Sequence, residues 1–210
     1  MTVVALFIGA PRTVEARGTR LYTGGAKQPV DAARLTADGF LGDGQADLRH
    51  HGGRDRAACV YPAGHYLWWK AHGLRLAFGA FCENLTVEDA REEELCIGDV
   101  LRIGTAAAQI SLPRDPCRTI DRLTGAEGLF ERARDSGRCG FHMRTVEPGD
   151  VRVGDEVVTV RRASHGITVA QVLDLYHGRS SDVELFRRLE ALPDLAAQGK
   201  RDIARRLGLG

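Results

Sequence analysis

The sequence lacks an excess of either charge, a long apolar run and any close pairing of its cysteines, and each absence narrows what the chain does. Lys and Arg number 29 against 28 Asp and Glu in 210 residues, a formal net charge of +1. With no overall basic field, nucleic acid and anionic membrane surfaces are not expected partners, and any anion must be held by a local cluster. No stretch approaches the roughly 18 apolar residues that a membrane-spanning helix needs. The opening run Met1–Gly9 has no basic residue before it and is too short for a secretion signal. It therefore reads as a buried strand, and a cytoplasmic location is expected. The cysteines, Cys59, Cys82, Cys96, Cys117 and Cys139, are odd in number, and no two have C-x-x-C spacing. Free thiols in a reducing compartment are the expectation, each by default a small buried hydrophobe.

Glycine, abundant up to about residue 155, becomes scarce after it. Before that boundary, short apolar runs alternate with glycine turns. Val100–Ile103 and Ala106–Ser111 flank Gly104-Thr105, the pattern of two hairpin strands, and Val157–Val160 reads as another strand. Ile97-Gly-Asp99 recurs as Val153-Gly-Asp155, each followed by apolar residues. Many short strands with such turns point to a barrel or sandwich. A helix is expected over Tyr61–His72, stopped by Gly73, with Tyr61, His65, Trp68 and Trp69 as core packing. Thr119–Asp135 is a weaker helix or a loop.

The tail reads as three short helices over residues 165–207. Thr168-Val-Ala-Gln171 is a capping box, with Ile167 placed to staple onto Val172, and Gly178 ends that helix. Ser181-Asp-Val-Glu184 is a second capping box, for a helix ending near Pro193. Asp194 is placed to cap a third helix, stopped by Gly208. Helices this short must pack on their neighbours to be stable. The expected division is a mainly β domain with some helix over 1–163 and a helical appendage over 164–210.

Four clusters carry the chemistry. The first, Gly39–Arg56, is dense in Gly, Arg and His, residues that let backbone N–H groups approach an anion and add charge around it. The adjacent His50 and His51 raise a metal reading, but neighbours on an extended chain point to opposite faces, which argues against both binding one ion. The second is Pro113-Arg114-Asp115-Pro116-Cys117-Arg118. Prolines stiffen this loop, and the flanking arginines favour the Cys117 thiolate, which can be a nucleophile, a soft-metal ligand or a sulfur carrier. The third and fourth, Gly137–His142 and Phe81–Leu85, are weak alone.

Together these clusters resemble the MOSC family, the domain at the C-terminus of molybdenum cofactor sulfurases, and within it the YiiM-like bacterial branch. The motifs are Gly42-Asp43-x-Gln45-Ala46-Asp47, His50-His51-Gly52-Gly53, Glu83-Asn84-Leu85-Thr86, Ile97-Gly98-Asp99, Pro113-Arg114-x-Pro116-Cys117 and Ser136-Gly137-Arg138-x-Gly140, in the family's order. The resemblance implies a MOSC-type β-barrel plus a small C-terminal three-helix appendage, with a groove for a molybdopterin-type molybdenum cofactor. It makes Cys117 the metal ligand or sulfur carrier, with His51 and Arg114 as further catalytic candidates. Lys27, Arg49, His50, His51, Gly52, Gly53, Arg54, Asn84 and Arg138 become the cofactor-binding candidates. It also implies reduction of N-hydroxylated compounds, a small-molecule substrate and a flavoprotein electron donor, with the chain a monomer or homodimer. Two positions depart from the family pattern, where Cys82 stands for Gly and Cys139 for Thr. They open an alternative in which Cys82, Cys117 and Cys139 hold zinc or handle sulfur in transfer or C–S cleavage. A third reading is a carrier that delivers cofactor or sulfur to another enzyme.

Overall fold

The structure, a computed structural model, describes residues 1–209. Strand β1 (Thr2–Ile8) is followed by a hairpin of β2 (Arg12–Ala16) and β3 (Thr19–Thr23). Three short strands come next, β4 (Gln28–Pro29), β5 (Ala32–Thr36) and β6 (Gly39–Phe40). Helix α1 (Leu48–His51) and a 3-10 turn at Arg54–Arg56 lead into β7 (Ala58–Pro62), helix α2 (Ala63–Ala71) and β8 (Leu85–Glu88). The expected hairpin is β9 (Val100–Ile103) with β10 (Ala106–Pro113). Helices α3 (Thr119–Thr124) and α4 (Leu129–Ser136) precede β11 (Phe141–Glu147), β12 (Gly149–Arg152) and β13 (Val157–Arg161). Helices α5 (Val169–Tyr176), α6 (Val183–Ala191) and α7 (Ala197–Arg206) form the tail.

Eight strands make one sheet in the order β13-β9-β10-β11-β7-β8-β1-β4, antiparallel except for the parallel pair β7–β8 that α2 connects. The sheet curls until β1 meets the approach to β13. There Val3 N–H donates to the Asp155 carbonyl (3.0 Å) and Val157 N–H to that of Met1 (2.8 Å). This closure satisfies backbone groups that an open edge would leave bare.

All eight residues of β10 are buried, because the barrel covers one face of the strand and the tail the other. The backbone joins the two: Ala196 N–H donates to Ser111 O (2.9 Å), Ile97 N–H to Ile167 O (3.2 Å) and Val169 N–H to Leu95 O (2.8 Å). Leu112, Val172, Leu173, Phe186 and Ile203 belong to one core shared by barrel and tail. None of the helices among the described residues is long and apolar enough to cross a membrane.

Several local expectations shift. Helix α2 starts at Ala63, not Tyr61, because Tyr61 pairs with Thr86 in β8 and Pro62 takes the N-cap position, where a missing N–H costs nothing. Thr119–Asp135 resolves into α3 and α4, parted by Gly125 and Gly128, both left-handed (φ 74° and 71°). The Thr168–Gln171 capping box forms as expected. The second box does not: Asp182, not Ser181, caps α6, accepting from Leu185 N–H at 2.8 Å. Asp194 does not cap α7. Its carboxylate accepts instead from the Gln109 side-chain amide at 2.7 Å, which is buried and has a greater need of a partner.

Candidate active site

The loop after β10 turns two side chains in opposite ways. Arg114 goes inward and is buried, its guanidinium donating to the carbonyls of Phe81 and Cys139. None of the ion pairs among the described residues involves it. Burial works against its charge, and the thiolate of Cys117 favours it. Arg118 turns outward, pairing with Glu131 at 2.6 Å and lying over the Phe130 ring. The expectation that both arginines would act on Cys117 is therefore half met.

Cys117 is half-buried beside His51 and Thr119. Burial pushes its thiol up, but His51, Thr119 and the Arg114 charge outweigh it and bring the pKa to about 7. His51 is raised above the ordinary imidazole value, chiefly by Cys117. Each thus favours the charged form of the other. Helix α1 delivers His51. The Asp47 carboxylate accepts from the N–H groups of Arg49 (3.1 Å) and His50 (3.2 Å) and starts the turn. His50 folds back onto Asp47 (2.7 Å), leaving His51 for Cys117. The histidines do diverge, though by a helical turn rather than by extended alternation.

Alkylation of Cys117 by iodoacetamide, followed by mass spectrometry across pH, should rise with an inflection near pH 7, well below the ordinary thiol value of 9.0. Thiolate is lost as pH falls through that point, so the rate falls with it. His51→Ala removes a group that favours thiolate, and its inflection should move up. An inflection at or above 9.0 in the wild-type chain would refute the pair.

Two cavities meet at this pair, sharing His51, Arg56, Asp115, Cys117 and His142. The barrel-side cavity, about 260 Å³, is walled by the loops at Gly24-Gly25 and Gly44–Ala46 and by Cys59, Cys82 and Arg114. A Cβ on Gly24 would lie 1.9 Å from the Gly44 carbonyl, and one on Gly25 would lie 2.9 Å from the Cys82 sulfur. Only glycine lets these loops close together. The tail-side cavity, about 650 Å³, is walled by Arg49 and by Tyr176, Gln198, Arg201, Asp202 and Arg205 of the tail.

His142 is a site residue the sequence reading did not select. Phe141 and Met143 are fully buried in the core, so strand alternation turns His142 to the other face. Burial, then the charges of Arg56, Arg114 and His51, hold its pKa well below the ordinary value. Its buried Nδ1 has no hydrogen-bond partner among the described residues. It is a neutral imidazole at the junction of both cavities. The alternating pattern around it was the available signal. Nothing local marks Arg56, Cys59 or the tail residues.

Of the expected binding residues, Lys27, Arg49, His50, His51 and Asn84 line a cavity. Lys27 is ion-paired to Asp43, so its charge is already engaged. Asn84 spends its amide on Cys59 N–H (3.0 Å), the Phe7 carbonyl (3.2 Å) and Asp43 (2.9 Å). Both build the wall. Arg54 pairs with Asp38 at the surface (2.9 Å), and Arg138 stacks over Trp68 at 4.0 Å; neither lines these cavities. Gly52 and Gly53 shape the turn after α1 and are not lining residues.

The three-thiol set is not assembled. Cys139 is fully buried away from the cavities and donates to the Ala133 carbonyl at 3.3 Å. The thiols lining the barrel-side cavity are Cys59, Cys82 and Cys117. Burial pushes Cys59 up to about 11 and Cys82 to about 12, so both stay protonated at neutral pH. Among the described residues no group of three or more His, Cys, Asp or Glu side chains is placed to hold a metal ion.

Residues 47–158 match the MOSC domain. The chain belongs to the MOSC family. Residues 167–208 of this MOSC protein match the YiiM-like, 3-alpha helix domain. It is 42% identical to the YflK protein of Bacillus subtilis over 80% of this chain and 77% of that one. It is 29% identical to a reductase of Gibberella moniliformis over 75% of this chain but only 29% of that longer protein. The crystal structure of YiiM from Geobacillus stearothermophilus superposes with a TM-score of 0.81 at 25% identity, covering 98% of each chain. The MOSC-type fold and its three-helix appendage are thus shared by the whole chain.

Proposed function

We propose that this MOSC protein is an oxidoreductase that binds a molybdopterin-type cofactor and reduces N-hydroxylated compounds. The observation that carries the reading is the placement on one cavity of Cys117 and a buried Arg114 that has no carboxylate partner among the described residues. A thiolate is a soft-metal ligand, and a buried guanidinium without a carboxylate partner suits an anionic group. Both face the glycine-walled cavity, so the donor set fits that cofactor. The fungal reductase supports the reaction class.

When bound, the cofactor would supply the two-electron transfer that such a reduction needs. The overall change is N–OH plus two electrons and two protons to N–H and water, the electrons coming from a separate flavoprotein. Cys117 would hold the metal through its sulfur, and Arg114 would offset the added negative charge. His51, whose protonated form Cys117 favours, would hold a proton at a ring nitrogen where the two cavities meet. That placement suits transfer to the departing hydroxyl oxygen. His142, held neutral by burial and the neighbouring positive charges, lines the same junction.

The test is purification from a host that makes molybdenum cofactor, with molybdenum analysis and fluorescence of the oxidised pterin. Turnover of an N-hydroxylated base with reduced methyl viologen completes it. Molybdenum, pterin and turnover together are expected. Stoichiometric zinc without pterin, or no turnover by the molybdenum-loaded protein, would overturn the reading.

A further inference from the structure

We infer that the tail-side cavity is a binding chamber for a phosphate monoester, held by Arg201 and Arg205 of α7 with Arg49 and Arg56 of the barrel. Calling that ligand the substrate rests on the reductase reading above; the anion site itself does not.

Charge accounting around the cavity motivates it. Four guanidinium groups line it against two carboxylates, Asp115 and Asp202. Both carboxylates are engaged. Asp115 pairs with His177 at 3.1 Å. Asp202 accepts from Tyr176 O–H (2.7 Å) and Gln198 Nε2 (2.8 Å) and lies 3.6 Å from Arg205. Arg49, Arg56 and Arg201 make no ion pair among the described residues. In a chain of net charge +1 this is a concentrated local excess.

The arrangement is tertiary. Arg201 and Arg205 stand four residues apart and so share one face of α7, while Arg49 of α1 and Arg56 of the 3-10 turn lie about 150 residues away in sequence. Among the described residues the Arg201 guanidinium makes one hydrogen bond, to Gln198 Oε1 at 2.8 Å, which leaves most of its donors free. Solvated arginines on a helix are commonplace, but four converging from two regions onto one hollow, with Cys117 in its wall, are not explained by solubility. Guanidinium forks match phosphate oxygens bidentately, and an excess of about two positive charges favours a dianion over a lone carboxylate. The chamber adjoins the cavity that holds Arg114 and shares Arg56 and Cys117 with it, which leaves two phosphate sources, the cofactor's own and the substrate's.

The experiment uses the full chain and titrates ribose 5-phosphate, inorganic phosphate and uncharged ribose by calorimetry, on the wild type and an Arg201→Ala/Arg205→Ala variant. Both arginines are exposed, and a thermal melt checks that the variant folds. Ribose 5-phosphate should bind and ribose should not, with affinity falling as salt rises. The variant should bind at least tenfold more weakly while keeping its molybdenum and pterin content when made in a cofactor-competent host. Equal binding by variant and wild type would overturn the site. Loss of cofactor from the variant would assign the arginines to the cofactor phosphate and also overturn it. If the wild type holds no molybdenum yet still binds ribose 5-phosphate through these arginines, the reductase reading fails and the anion site stands.

Discussion

Cys117→Ser should give a folded protein with no measurable turnover, a loss on the order of 10³-fold or more, as expected when the group at the reacting centre is removed. Serine has nearly the same shape, so thermal melts should barely move. Its hydroxyl does not ionise near neutral pH and is a poor soft-metal ligand, so bound molybdenum should fall with turnover. The other thiols serve as controls. Cys59 and Cys82 share the barrel-side cavity but remain protonated, with pKa values pushed up by burial to about 11 and about 12. Cys59→Ser and Cys82→Ser should therefore retain metal and activity. Cys139→Ser, deep in the core, should cost stability alone. Turnover and metal content measured on each single variant check this. A folded Cys117→Ser protein with full activity and metal content would sink the role assigned to Cys117.

Glu83→Ala should be the most destabilising single change near the site, without touching a ligand. Glu83 is fully buried and accepts four hydrogen bonds: from Tyr66 O–H (2.6 Å), Gly79 N–H (2.8 Å), Phe81 N–H (3.1 Å) and Thr86 O–H (2.8 Å). One carboxylate thus satisfies α2, β8 and the tight loop before Cys82, whose backbone is left-handed at φ 58°. Each buried donor left unpaired costs about 1–3 kcal/mol. With partial relaxation, a loss of about 4 kcal/mol is expected, and a fall in Tm of roughly 10 °C or more for a chain of this size. Thermal and urea unfolding measure it. Glu83→Gln keeps the shape and one acceptor oxygen, so it should fall between. A Glu83→Ala melt within about 1 kcal/mol of wild type would show that the network does not hold the loop.

The same network changes how the family motifs are read. Glu83, Asn84 and Thr86 sit in one motif, and each has its polar atoms bonded within the protein. So does Asp43, tied to Lys27, Asn84 and Gly9 N–H. These residues are held for the fold that shapes the cavity. The residues that face the cavity with unspent chemistry are Cys117, His51, His142, Arg114 and Arg56.

What the sequence determined by itself is local. The β9–β10 hairpin, the strand at the N-terminus and the Thr168–Gln171 cap were legible because each signal lies within a few residues of the structure it produces. Cys117 stood out for the same reason, in a proline-stiffened loop beside Arg114. The tertiary structure decided everything that depends on pairing across the chain. His51, 66 positions before Cys117, sets the thiol's ionisation more than adjacent Arg118, which goes to Glu131. Cys139, in the loop between α4 and β11, turned into the core against the Ala133 carbonyl, and Cys59, on β7, entered the cavity wall. Asp194 abandoned its helix cap for Gln109, and the tail supplied a wall of the larger cavity. Hydrogen bonds and charges are settled by distance in space and by which buried group most needs a partner, and a linear pattern carries neither.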